Sequence, residues 1–114
     1  MLNFCFKKKS RLLTNYDFKY VFKNPNVIKC SEIIILARMN SLSYSRLGIS
    51  ISKKQIKYSY QRNKIKRVIR EIFRTIQYRL INSDFVVITK FNFLKMNFKL
   101  LVRKLENLWS YYYQ

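Results

Sequence analysis

Residues 52–74 hold nine lysines and arginines and a single acid, Glu71. From Ile65 onward the apolar residues Ile65, Val68, Ile69, Ile72, Phe73 and Ile76 recur at the spacing of one helix face. At about 100° per residue they share an arc of roughly 140°. Asn63, Lys64, Lys66, Arg67, Arg70 and Arg74 fall on the remaining arc. One face can enter a core while the other presents a dense set of cations. A guanidinium grips phosphate oxygens as a planar fork and an ammonium does so as a point charge, so the chemistry offered is polyanion binding. Arg62 projects toward the apolar side of the wheel. A buried, unpaired arginine is too costly, so its place is the first turn, at the rim of a groove between the helix and a sheet.

No catalytic constellation competes with this reading. The chain has no histidine, which removes Ser-His and Cys-His nucleophile pairs. Its five acids, Asp17, Glu32, Glu71, Asp84 and Glu106, are scattered, and Gly48 is its only glycine. Neither a carboxylate cluster nor a glycine-rich phosphate loop is expected, and no catalytic residue and no protein metal site. Cys5 and Cys30 alone do not make a zinc site and point to reduced thiols in the cytoplasm. Against those five acids stand 24 basic residues, a net charge of +19 over 114 residues. Such a surface repels itself and fits a polyanionic partner, nucleic acid first and a membrane surface second. No apolar run approaches the ~20 residues of a membrane span. The first residues carry their charge after a short apolar patch, the reverse of a secretory signal. A hydrophobic content of 49% suits a globular core. One domain over residues 1–114 is expected, with residues 1–10 a flexible basic arm.

The elements that would position these cations can be read in order. Thr14 or Asn15 can cap a short helix with Asp17 in its first turn, ending before Pro25. Phe18 and Phe22 share a face of it, either as core or as a platform for stacked bases. Residues 31–39 read as a strand and 40–45 as a loop. Residues 46–52 alternate, with Leu47, Ile49 and Ile51 on one side and the small Gly48, Ser50 and Ser52 on the other. Small residues on one sheet face suit close approach of a ligand or another backbone. The two strands are expected to form an antiparallel hairpin. The basic helix runs from about residue 59 to 80, a turn covers 82–84, and 85–89 is a short, central strand in parallel pairing across the helix. After a connection over 91–95, a last helix spans about 96–112. Tyr111, Tyr112 and Tyr113 read as packing or a frayed end. The whole is an α+β sandwich of one sheet and three helices.

Ser52-Lys53-Lys54 followed by Gln61-Arg62-Asn63-Lys64-Ile65-Lys66-Arg67-Val68-Ile69-Arg70-Glu71-Ile72-Phe73-Arg74 resembles the signature of the bacterial ribonuclease P protein subunit. Arg11 to Thr14, Asp17-Phe18 and Val21-Phe22 resemble that family's first helix, Leu47 to Lys54 its third strand and Ser83 to Ile88 the strand after its basic helix. The resemblance implies a two-layer sandwich in αβββαβα order, like the second domain of ribosomal protein S5. It adds a short strand near residues 27–29, a mixed sheet and a left-handed βαβ crossover. It implies a subunit that partners a catalytic RNA, one to one, in removing the 5′ leader of precursor tRNA, with Mg²⁺ held mainly by the RNA. By the same resemblance Arg62, Asn63, Lys64, Lys66, Arg67, Arg70 and Arg74 face the catalytic RNA. Phe18, Phe22, Ser50, Ser52, Lys53 and Lys54 line a central cleft for the leader. The chain departs from the family in Ser59, in Lys64 at the third position of the Arg-Asn-Arg/Lys triplet, and in an aromatic linker over 55–61. A structural RNA-binding protein of ribosomal type is the alternative, and a membrane-surface protein comes last.

Overall fold

A computed structural model of the chain describes residues 10–12, 14–54, 56–89 and 97–114. Nearly all of the expected basic arm, the 91–95 connection, Cys5 and Met96 lie outside these residues. Helix α1, Asn15–Lys23, starts at a capping box: the Asp17 amide donates to Thr14 Oγ1 at 3.2 Å, and the Thr14 amide donates to Asp17 Oδ2 at 3.3 Å. It stops at Asn24 because the residue before Pro25 is driven out of the helical region. Strands β1, Asn26–Lys29, β2, Ile33–Met39, and β3, Arg46–Ile51, follow. Helix α2, Ser59–Ile76, then leads to β4, Ser83–Thr89, and helix α3, Phe98–Ser110, closes the chain.

The sheet order is β1-β2-β4-β3, with β2 antiparallel and β3 parallel to β4. This corrects the expected hairpin: β2 and β3 run in opposite directions, but β4 lies between them and they do not pair. The reason is apolarity. β4 is buried along nearly its whole length, and such a strand needs partners at both edges and cover on both faces. The loop over 40–45 is polar, and its six residues reach across two strand spacings, about 10 Å. Four boundaries also move. β4 begins at Ser83, within the expected turn, because Ser83 and Asp84 pair with Met39 and Arg38. α2 ends at Ile76 and tightens into one 3₁₀ turn, Gln77–Arg79, which delivers the buried Leu80 to a bridge with Tyr113. β2 starts at Ile33, and α3 stops at Ser110.

Alternation along the strands sorts the core. Ile33, Ile35, Ala37, Leu47, Phe85 and Val87 face α2 and α3, where Phe73 and Trp109 are fully buried with ring centroids 5.6 Å apart. Leu36 and Val86 face the other way, toward Leu12 and Val21. The sheet on α2 and α3 thus forms the two-layer core, and α1 covers part of the opposite face. Tyr112 packs edge-on against Phe85 and donates its hydroxyl to Asn26 Oδ1 at 2.9 Å, so the C-terminal tyrosines include a packing residue.

Three of the five acids hold elements together, and a fourth pairs within one helix. Asp84, with no exposed surface, accepts from Arg46 Nε at 2.8 Å, Arg46 Nη2 at 2.6 Å and Asn40 Nδ2 at 2.8 Å. Arg46 also lies 3.7 Å from Asp17 of α1. Lys104 of α3 donates to both oxygens of Glu32, at 2.7 and 2.9 Å. Glu71 pairs with Arg74 on α2.

Two expectations follow. A Cβ at Gly48 would meet Phe18 Cε1 and Cζ at 2.7 Å and Leu12 Cδ1 at 3.0 Å, so Gly48→Ala should lower stability by about 1 kcal/mol in urea titrations at unchanged m. The hydrogen bond from Lys104, foremost, holds the Glu32 carboxyl down at about 2 against an ordinary 4.5. A depressed carboxylate stabilises the fold above its unfolded value and loses that contribution as pH falls toward the folded one. Glu32→Gln should therefore flatten the acid decline of the melting temperature between pH 4.5 and 2.

Candidate nucleic-acid interface

The cleft begins where Phe18 of α1 reaches β3. The Leu12 amide donates to the Leu47 carbonyl at 2.9 Å, and Arg11 forms a parallel bridge with Leu47, so the chain before α1 runs along the free edge of β3. Phe18 then rests on Gly48, the position that has no side chain to hold it off. Past that contact the floor is Ile49, Ser50 and Ile51, and the walls are Asn15 and Phe18 from α1, Lys53 from the following turn, and Arg62 and Lys66 from α2. At the other end the same groove is lined by Arg11, Gly48, Lys66 and Arg70.

Helix α2 supplies two cationic rows from one stretch. Arg62, Lys66 and Arg70 are spaced i, i+4, i+8 and follow the flank that faces the cleft. Asn63, Arg67 and Arg74 lie about one more step round, on a second surface that also includes Arg11, Lys66, Arg70 and Glu71. Lys66 and Arg70 belong to both. Behind the rows, Ile65, Ile69, Ile72, Phe73 and Ile76 are buried, and Val68 is half-buried.

Arg62 sits in the first turn, half-buried at the cleft wall, as its angle on the wheel requires. Its Nη1 donates to the Ile56 and Lys57 carbonyls, both at 2.9 Å, which anchors the loop leading into α2. Burial first, and the neighbouring Arg11 guanidinium second, push the Arg70 guanidinium below its ordinary value. Two like charges kept together in a groove make a place where an anion replaces repulsion with attraction.

Of the residues read from the sequence, Phe18, Ser50, Lys53, Arg62 and Lys66 meet in the cleft. Ser52 and Lys54 are exposed at its end, in a turn where the Lys54 amide donates to Ser52 Oγ at 3.2 Å. Phe22 is 46% exposed and does not line the cleft, because fully buried Val21 takes the inward position of that turn. Lys64 is exposed and lines neither groove, although it stands three residues before Arg67 on the outer side of α2. Sequence reasoning omitted Arg11 and Asn15. No local signal marks Arg11, since only its bridge to β3 brings it opposite Arg70. Among the described residues no group of three or more Cys, Asp or Glu could hold a metal ion, and no helix is long and apolar enough to cross a membrane.

The chain matches the family model described as Ribonuclease P over residues 6–113. It is 66% identical over 114 residues to the ribonuclease P protein component of Buchnera aphidicola subsp. Baizongia pistaciae, covering all of both chains. The fold superposes on the RNase P protein of Staphylococcus aureus with a TM-score of 0.83 at 29% identity, over 90% of this chain and 94% of that one. It superposes on the RNase P protein of Thermotoga maritima with a TM-score of 0.80 at 33% identity, over 91% and 98%.

The shared rows lead to one expectation. Arg70→Gln removes a like charge beside Arg11, so the protein alone should be at least as stable at low salt. Its affinity for RNA should fall, and the log–log salt slope should flatten by about 0.7 to 0.9. Binding titrations at several salt concentrations and a thermal melt check both.

Proposed function

The chain belongs to the ribonuclease P protein family, and from that premise we propose that its two cationic surfaces serve two RNAs at once. As a protein component of ribonuclease P it is a tRNA-processing subunit of an endoribonuclease complex, and it partners the ribonuclease P RNA. The proposal concerns the division of labour. The outward row of Asn63, Arg67 and Arg74 binds the catalytic RNA, with Lys64 beside it. The cleft of Phe18, Ser50, Lys53, Arg62 and Lys66 receives the single-stranded 5′ leader of precursor tRNA, and Ser52, Lys54 and Phe22 flank its path. The observation that carries this is the shared wall: Lys66 and Arg70 line both surfaces.

The cleft suits an unpaired strand. Phe18 offers a ring on which a base can stack, a contact of ~1–3 kcal/mol that requires no particular sequence. Gly48 and Ser50 keep the floor low, so a backbone can approach the sheet. The cations on the α2 wall meet its phosphates. A duplex has its bases already stacked and gains nothing from Phe18, so mature tRNA, which lacks the leader, forgoes this contact.

This chain supplies position and charge, and the bond-breaking belongs to the RNA. A hard divalent cation takes carboxylate oxygens, whereas Asp17, Glu32, Glu71 and Asp84 face basic partners here. Four of the five carboxylates are engaged in this way, which supports the reading that Mg²⁺ is held by the RNA component. One domain, one protein per RNA, and a cytoplasmic site of action complete the reading.

Reconstitution with a bacterial ribonuclease P RNA tests it. Cleavage of precursor tRNA at low Mg²⁺ should be faster with the protein than without, and an equal rate would leave only structural RNA binding. Ser50→Leu raises the cleft floor on the edge strand, and a thermal melt checks that the variant folds. It should weaken binding of leader-bearing substrate by about tenfold and leave mature tRNA unaffected; equal loss on both would remove the leader from the cleft.

A further inference from the structure

Tyr58 and Tyr60 stack on each other at the start of α2, with ring centroids 5.7 Å apart and planes 23° apart. Both stay in solvent, 53% and 68% exposed. Core packing therefore accounts for neither. Tyr58 is the N-cap of α2 and makes no side-chain capping bond, although serine, threonine, aspartate or asparagine there would satisfy a helix amide. A position that favours a small polar residue is given to a large ring, and the ring is used to hold a second ring beside it.

The surroundings are uniformly cationic. No acid occurs from Lys53 to Arg62. The Lys57 ammonium stands 5.7 Å from the Tyr58 ring centroid. Arg62 grips the Ile56 and Lys57 carbonyls, so the loop that carries Tyr58 is tied to the helix that carries Tyr60. Tyr60 also has a definite angular place. Tyr60, Asn63, Arg67 and Arg74 follow the i, i+3, i+7, i+14 spacing of one helix face. The stacked pair thus stands at the N-terminal end of the outward row, beyond Asn63.

We propose that the Tyr58–Tyr60 pair is a stacking platform for an unpaired base of the ribonuclease P RNA, placed at the head of the Asn63, Arg67 and Arg74 row. It deepens the proposed reading of that row and rests on it. Two rings already parallel extend to a third without reorganisation, and the lysines around them meet the phosphates on either side of the stacked nucleotide. Stacking neutralises no phosphate, so this contact adds affinity without releasing counterions. That separates it from every cation in the row.

The test is binding of the full chain to a bacterial ribonuclease P RNA, without substrate, across a salt series. The double variant Tyr58→Ala/Tyr60→Ala should bind about tenfold more weakly with an unchanged log–log salt slope, about 1.4 kcal/mol at 25 °C. The double phenylalanine variant should restore affinity, since it keeps both rings. Arg67→Ala is the control and should weaken binding and flatten the slope. If Arg67→Ala does neither, the outward row itself fails as an RNA surface. If Arg67→Ala behaves as expected while the alanine pair binds normally or alters the slope, the platform alone is overturned. A second titration with precursor and mature tRNA that showed a loss confined to leader-bearing substrate, with RNA binding normal, would assign the pair to the leader and overturn this proposal too. An unchanged melting temperature shows that the exposed rings are not holding the fold.

Discussion

The structure depends on where its one fully buried carboxylate finds a partner. Asp84 sits at the start of the central strand with no exposed surface. A charge in that position must be paired and hydrogen-bonded, and removing one member of such a pair typically costs ~3–5 kcal/mol. Arg46 meets it with two parallel bonds, and Asn40 supplies a third. Arg46 and Asp84 are also register partners on parallel strands. A one-residue slip would break the pair and turn every side chain of β3 to the wrong face. The same guanidinium reaches Asp17 at the start of α1. One arginine thus links β3, β4 and α1, and β3 and α1 set the floor and one wall of the cleft.

Scarcity of acid gives this pairing its weight. With 24 basic residues and five acidic ones, each carboxylate that joins two elements leaves the other cations for the surface. Asp84 and Asp17 join strand, strand and helix, and Glu32 ties α3 to the beginning of β2. Glu71 acts within α2 alone. What is left is a helix whose inner face is apolar and whose other faces carry six cations against one acid. Because an α-helix advances by about 100° per residue, i+4 steps drift only slowly round it. One continuous run can then line a groove with Arg62, Lys66 and Arg70 and an outer surface with Asn63, Arg67 and Arg74. The relative geometry of the two surfaces is set by the packing of Ile65, Ile69, Ile72 and Phe73 on the sheet, and close-packed interiors transmit such placement with little slack.

Helix limits and faces were largely legible because they are local. Thr14 with Asp17 writes a capping box into four residues, and Pro25 ends the helix that follows. The apolar spacing from Ile65 to Ile76 names the buried face of α2, and the wheel angle of Arg62 predicts its place in the first turn. Strand partners were less legible. Alternation over residues 46–51 says which side chains share a face but not which strand lies alongside, so it suggests a hairpin of β2 with β3 where the sheet has β4 between them. Pairing is decided by the competition for cover of the most apolar strand, and that competition is non-local.

The sequence by itself determined the charge chemistry: a strongly basic chain, an amphipathic basic helix, and small residues on one side of a strand. Periodicity and composition suffice for these because each depends on neighbours within a few turns. Tertiary structure alone decided that Gly48 seats the Phe18 ring, that Arg11 comes beside Arg70, that Phe22 leaves the cleft while Lys66 serves both surfaces, and that Tyr58 finds Tyr60. The contacts of Gly48 with Phe18 and of Arg11 with Arg70 join segments far apart in the chain, and the Tyr58–Tyr60 stack depends on the backbone path into α2; composition and periodicity specify neither kind of placement.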